Sequence, residues 1–166
     1  MEEYMKSKKD ITNIDDTGGI VLDYRPFSKQ KLYEYNSLKC AVKNISERIQ
    51  ELKLMQTALS KGIIRERVQG GKASSSEDQK LSIICELDRL QTILKIRSSD
   101  LRRIDRALNS LTKEQQTILR YFYIDAYDNH IERLMQDLCM ERRTVYYKHD
   151  AALRDFTIAM YGVCDF

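Results

Sequence analysis

Helix breakers are scarce in this sequence: there is one proline, Pro26, and there are six glycines in 166 residues. Their near absence after residue 30 favours long uninterrupted helices. Histidine is scarcer still, with His130 and His149 standing alone. The four cysteines, Cys40, Cys85, Cys139 and Cys164, form no CxxC pair. That combination speaks against a zinc site and against a disulfide framework, and the thiols are expected buried or half-buried in a reducing cytoplasm. No stretch approaches the roughly 20 apolar residues of a membrane span. The N-terminal MEEYMKSKKDITNIDD has no apolar core of a signal peptide, so a cytoplasmic protein with no membrane partner is expected. A glycine-rich phosphate loop, a histidine–carboxylate cluster of metal spacing and a Ser or Cys nucleophile with an evident base are also missing. The chain therefore does not read as an enzyme, and no cofactor or metal is expected. His130 and His149 read as surface or capping residues.

What the chain does have is charge and apolar periodicity. It is 42% hydrophobic and 32% charged, a balance that suits all-α architecture with a narrow core. The formal net charge is +3, too small to imply nucleic acid by itself, so local distribution has to be weighed. Residues 1–28 carry no sustained period and read as a flexible N-terminal tail, in which the short run Gly19-Ile20-Val21-Leu22 has the composition to add a strand or to dock on a partner.

Residues 29–110 read as a helical hairpin or coiled coil. The first helix, from about Lys29, places apolar residues at Leu38, Val42, Ile45, Ile49, Leu52 and Leu59, in heptad steps. The second, from about Glu77 to Leu108, places Ile83, Leu87, Leu90, Leu94, Leu101, Ile104, Leu108 and Leu111 in alternating steps of four and three, with Arg97 the polar member. Between them lies a basic loop, 61–77, with Lys61, Arg65, Arg67 and Lys72 and with Ser76 as an N-cap. Packing of the two seams on each other and homodimerisation through one of them both bury the same stripes, and both stay open.

Residues 111–162 read as a separate unit. Thr112 and Gln115 have capping-box spacing at the start of a helix that buries Ile118, Leu119 and Phe122. A helix from His130 to Leu138, a turn at Cys139-Met140 and a helix from Glu141 to about Tyr161, ended by Gly162, follow. This is the layout of a helix-turn-helix, with Leu134, Leu138, Met140 and Val145 between its helices and Ala152 and Phe156 further along the inner face. Arg142, Arg143, Thr144, Tyr146, Tyr147 and Lys148 are the candidate DNA-binding residues. Arginine reads guanine edges or neutralises phosphates, and hydroxyls reach phosphate oxygens. Lys148, one turn further on, is better placed for the backbone. From Thr112 to Tyr161 there are seven Lys or Arg and eight Asp or Glu, a net charge of −1, so weak binding by this unit alone is expected.

The segment LTKEQQTILRYFYIDAYDNHIERLMQDLCMERRTVYYKHDAALRDF resembles region 4 of sigma-70-type factors. The likeness lies in the Leu111…Ile118-Leu119 opening, the aromatic-rich turn, the Arg142-Arg143-Thr144-Val145 entry and the closing Ala152-Leu153. VQGGKASSSEDQKLSIICELDRL is similar to the loop and second helix of ArpU- and RinA-type late-gene regulators of phages and prophages. Together the likeness spans about residues 35–160. Met135, Cys139 and Glu141 stand where that pattern carries a small residue, a turn glycine and a capping serine. The resemblance implies a transcription regulator that binds double-stranded promoter DNA through the helix 141–161, with RNA polymerase as a further partner. Two other functions share these features: a DNA-packaging protein of the small-terminase kind, and a coiled-coil interaction protein that binds no DNA.

Overall fold

The computed structural model describes residues 12–14, 20–61, 76–125 and 128–162. The architecture is all-α, preceded by one short two-stranded ribbon. In that ribbon β1 (Thr12–Ile14) pairs antiparallel with β2 (Ile20–Leu22), Asn13 opposite Val21. The helices are α1 (Arg25–Tyr33), α2 (Tyr35–Ser60), α3 (Ser76–Asn109), α4 (Lys113–Leu119), α5 (His130–Asp137) and α6 (Arg142–Tyr161). A π-helical turn, Arg120–Ile124, follows α4 directly. The expected basic loop falls almost entirely outside the described residues.

Two compact units divide the chain differently from the boundaries expected at 28/29 and 110/111. One holds residues 37–101; the other joins residues 1–36 to residues 102–166. The reading of 1–28 as a tail is corrected at its C-terminal end. Pro26 opens α1, where its missing N–H leaves no bond unmade, and Ser28 is fully buried. A single turn residue, Glu34, separates α1 from α2.

In the unit of residues 37–101 the two seams pack on each other. Ile49 and Leu52 of α2 and Leu87 of α3 are buried, with Ile45, Ile83, Leu90 and Leu94 packed around them. Arg48 reaches Glu86 at 3.3 Å, and Arg97 is exposed. Each buried aliphatic side chain stabilises by roughly 1.5–3 kcal/mol, whereas the ion pair is exposed and screened by solvent, so apolar contact holds these helices together. The cysteines depart from expectation: Cys40, Cys85 and Cys139 are exposed. Cys40 and Cys85 fall off the buried stripes of their helices, and Cys139 lies in the turn between α5 and α6.

The other unit is built around α6. Its inner face carries Val145, Ala152, Phe156 and Thr157, all fully buried, with Leu153 beside them. Ile118, Leu134 and Val145 form one cluster with Tyr121, Phe122, Met135, Leu138 and Met140 against it. Helix α1 docks through Ser28, whose hydroxyl is 2.8 Å from that of Thr157, a residue that also bonds the Leu153 carbonyl at 2.7 Å. Tyr24 stacks on Tyr161 with ring centroids 5.0 Å apart. At the start of α2, Tyr35 donates to Asp105 at 2.8 Å and the Asn36 amide donates to the Ile124 carbonyl at 2.9 Å. Thr112 caps α4 with the reciprocal bonds of a capping box: the Gln115 N–H donates to its hydroxyl at 3.3 Å, and Gln115 accepts from its backbone N–H at 3.0 Å.

Candidate nucleic-acid interface

The turn between α5 and α6 sets the direction of α6. Helix α5 ends with Leu138 N–H on the Leu134 carbonyl at 3.0 Å and Met140 N–H on the Met135 carbonyl at 3.1 Å. The second bond spans six residues, and Met135 and Met140 pack on the same cluster, as in a Schellman ending. Such an ending needs a left-handed residue before Met140. Cys139 supplies it at φ 49°, a conformation that costs a residue with a Cβ about 1–2 kcal/mol and that glycine adopts freely. Met135 sits in the interior contact rather than at a gap. Glu141 then stands extended at the N-cap of α6, at ψ 152°, with no side-chain capping bond.

From there the candidate residues separate into groups. Arg142 and Arg143 occupy the first turn of α6 and are exposed. Their guanidinium groups add to the positive end of the helix dipole, where free N–H groups favour an anion, while the Glu141 carboxylate opposes it. Thr144 is half-buried. Tyr147 is 76% exposed, the most open of the large apolar side chains among the described residues, and Tyr146 is 43% exposed with its ring edge-on to Phe122 at 6.3 Å. Lys148 stands apart. Its ammonium forms an ion pair with Glu114 of α4, which places its charge toward α4 and away from the outward face of Arg142 and Arg143.

His149 departs from expectation. It is buried, not a surface or capping residue. Its Nε2 lies 2.8 Å from the Tyr123 hydroxyl and its Nδ1 lies 2.9 Å from Asp150 Oδ1. A neutral ring protonated at Nδ1 satisfies both: Nδ1–H donates to the carboxylate and Nε2 accepts from the phenol. Phe122 packs against the imidazole with centroids 4.3 Å apart, and against His130 at 4.6 Å. Consecutive residues Phe122 and Tyr123 both reach His149 from the π-helical turn. Burial lowers the His149 pKa, and the positive charge of Lys29 adds to that; the Asp150 carboxylate opposes it. Burial also raises the Tyr123 pKa, so the phenol keeps its proton and remains a donor. Nothing in local sequence flags this cluster, because its partners lie 26 residues apart.

No grouping of three or more His, Cys, Asp or Glu able to hold a metal ion occurs among the described residues, and no described helix is long and apolar enough to cross a membrane. No family model, no curated protein and no solved structure matches the chain.

Proposed function

We propose that the chain is a DNA-binding transcription regulator of the phage and prophage type. In this reading α5, the Cys139 turn and α6 form a sigma region 4-like helix-turn-helix, and α2 and α3 form an antiparallel hairpin. Promoter DNA is bound through residues 141–161, and RNA polymerase is a second partner. The observation that supports it is the placement of the first turn of α6. Val145 is buried against Leu134 and Ile118, which turns Arg142, Arg143 and Tyr147 outward together at a helix N-terminus. Arg142 and Arg143 are assigned to base edges and phosphates, and Tyr147 to a phosphate. Lys148 is assigned a smaller part because Glu114 holds it. The near-neutral charge of this unit predicts weak binding, with a salt slope set by the few phosphates that its cations reach.

A second reading, an interaction protein without DNA binding, draws on residues 37–101. Leu54, Leu81 and Ile96 are largely exposed there. A homodimer, if formed, uses residues such as these, since Ile49, Leu52 and Leu87 pack within the chain.

A mobility-shift assay at about 50 mM salt on promoter duplex and on unrelated duplex tests the DNA reading. The Arg142→Ala/Arg143→Ala protein is expected to lose at least roughly tenfold in affinity, since a good bidentate contact is worth about 1–3 kcal/mol. Unchanged affinity sinks the residue assignment. Solution mass separates the packaging alternative, which calls for a large ring.

A further inference from the structure

A groove of about 650 Å³ runs between α1 and α6, lined in part by Asp23, Arg25, Lys29, Tyr147, Asp150 and Arg154. Along α6, Arg143, outside the groove, and its lining residues Tyr147, Asp150 and Arg154 follow one another in steps of four, three and four, which places them on one face of the helix. All four are exposed. Arg143 and Arg154 are eleven residues apart, about 16 Å along the axis, whereas the major groove is about 12 Å wide. A helix whose first turn enters the major groove therefore carries Arg154 beyond the groove edge, to the level of the sugar–phosphate backbone.

The charges at this point are sorted. Asp23 is engaged by Arg25, with Nε at 2.9 and 3.1 Å from its two oxygens and a further contact at 2.9 Å, so that pair cancels. Asp150 accepts from Nδ1 of His149 at 2.9 Å. Lys29 and Arg154 are the remaining cations, both exposed. Arg154 has Asp155 at 3.8 Å, too long for a hydrogen bond, and Asp155 accepts from the Gln115 amide at 2.7 Å. Lys29 follows directly on Ser28, which is fully buried and bonded to Thr157 of α6. The anchor fixes where Lys29 stands relative to Arg154, so little side-chain ordering beyond the lysine stem is needed on binding.

We propose that this groove is a second nucleic-acid contact, in which Lys29 of α1 and Arg154 of α6 hold a phosphodiester of duplex DNA flanking the major groove that the first turn of α6 enters. The proposal rests on the DNA-binding reading and adds α1 to the interface. The ligand chemistry is a phosphodiester anion; Tyr147, which also lines the groove, donates its hydroxyl to the same backbone. Asp150 weakens the site for a free anion, so a polymer that is also held at Arg142 and Arg143 is the ligand.

The test is fluorescence anisotropy of the full chain on a labelled duplex of about 25 base pairs, titrated at several salt concentrations between about 50 and 300 mM. Each phosphate contact contributes about 0.9 to the slope of log affinity against log salt. Lys29→Ala/Arg154→Ala should flatten the slope by about 0.9, the share of the one phosphate they hold, and, if the curves meet near 1 M salt, weaken binding at 0.1 M by up to about 8-fold. Lys29→Arg/Arg154→Lys should restore the wild-type slope, and circular dichroism should show both variants folded, since neither side chain is in the core. A normal slope in the alanine variant, with binding still lost in Arg142→Ala/Arg143→Ala, overturns this proposal and leaves the DNA reading standing. A wild-type protein with no salt-dependent DNA binding overturns both. Saturable binding of inorganic phosphate at millimolar concentration, together with an unchanged DNA slope, identifies a small-anion site and also overturns the proposal.

Discussion

Replacing Tyr123 by phenylalanine removes one oxygen and little else. Tyr123 is buried, and its ring keeps its edge contact with Tyr33 at 5.0 Å and its place beside His149. The lost hydroxyl is the donor to Nε2 of His149, 2.8 Å away, and both side chains are buried. Among the described residues every buried side-chain nitrogen and oxygen has a hydrogen-bond partner, and Tyr123→Phe would create the exception. A buried acceptor left without a donor costs about 1–3 kcal/mol, against about 1 kcal/mol for the net worth of an ordinary hydrogen bond. The desolvation penalty therefore dominates. His149→Leu creates the mirror-image orphan, the Tyr123 hydroxyl, at a similar cost plus some lost contact with Phe122. Removing both partners leaves neither orphan. The double variant should then be more stable than the sum of the two single losses predicts, by about 1 kcal/mol or more. Urea denaturation of the four proteins at about pH 7.5 measures this cycle, with coincident probes confirming a two-state transition. A Tyr123→Phe protein within about 0.5 kcal/mol of wild type, or a coupling near zero, refutes the buried-pair argument.

Three further outcomes follow from the structure. Burial lowers the His149 pKa below its ordinary 6.5, so below that pH the unfolded chain takes up a proton that the folded chain resists. Stability should be fully present above about pH 7 and fall as pH drops through 6.5, by at most about 1.4 kcal/mol per pH unit from this group; an identical acid limb in His149→Leu would contradict it. Cys139→Gly should raise stability by roughly 0.5 kcal/mol, because relief of about 1–2 kcal/mol at φ 49° exceeds the added chain entropy; a clear drop in the melting midpoint would count against the strained turn. Lys148→Ala should cost less than about 1 kcal/mol of stability, as the pair with Glu114 is more than a third exposed. It should also reduce DNA affinity far less than Arg142→Ala/Arg143→Ala, and equal effects in the anisotropy assay would return Lys148 to the interface.

How much of this was legible beforehand depends on the range over which each feature is encoded. The helices are local matters. Few breakers, heptad steps through Leu38–Leu59 and Ile83–Leu111, the Thr112–Gln115 spacing and Gly162 each act over at most one or two turns. Gly162 indeed ends α6 at φ 78°, with its N–H on the Ile158 carbonyl at 2.7 Å. The same periodicity separated the buried Val145, Ala152 and Phe156 from the outward Arg142 and Arg143, because burial on a helix repeats every three or four residues.

The sequence alone therefore determined a nearly all-helical chain, the apolar stripes of its helices and the face of α6 that turns inward. Tertiary structure decided which stripe meets which. It joined α1 to α6 through Ser28 and Thr157, 129 positions apart, and so took residues 25–28 out of the expected tail. It drew Lys148 toward Glu114, and it closed Phe122, Tyr123 and Asp150 around His149. None of these pairings carries a short-range signal: each depends on the direction in which the chain re-enters the unit, and that is set by the packing of whole helices rather than by the residues that finally touch.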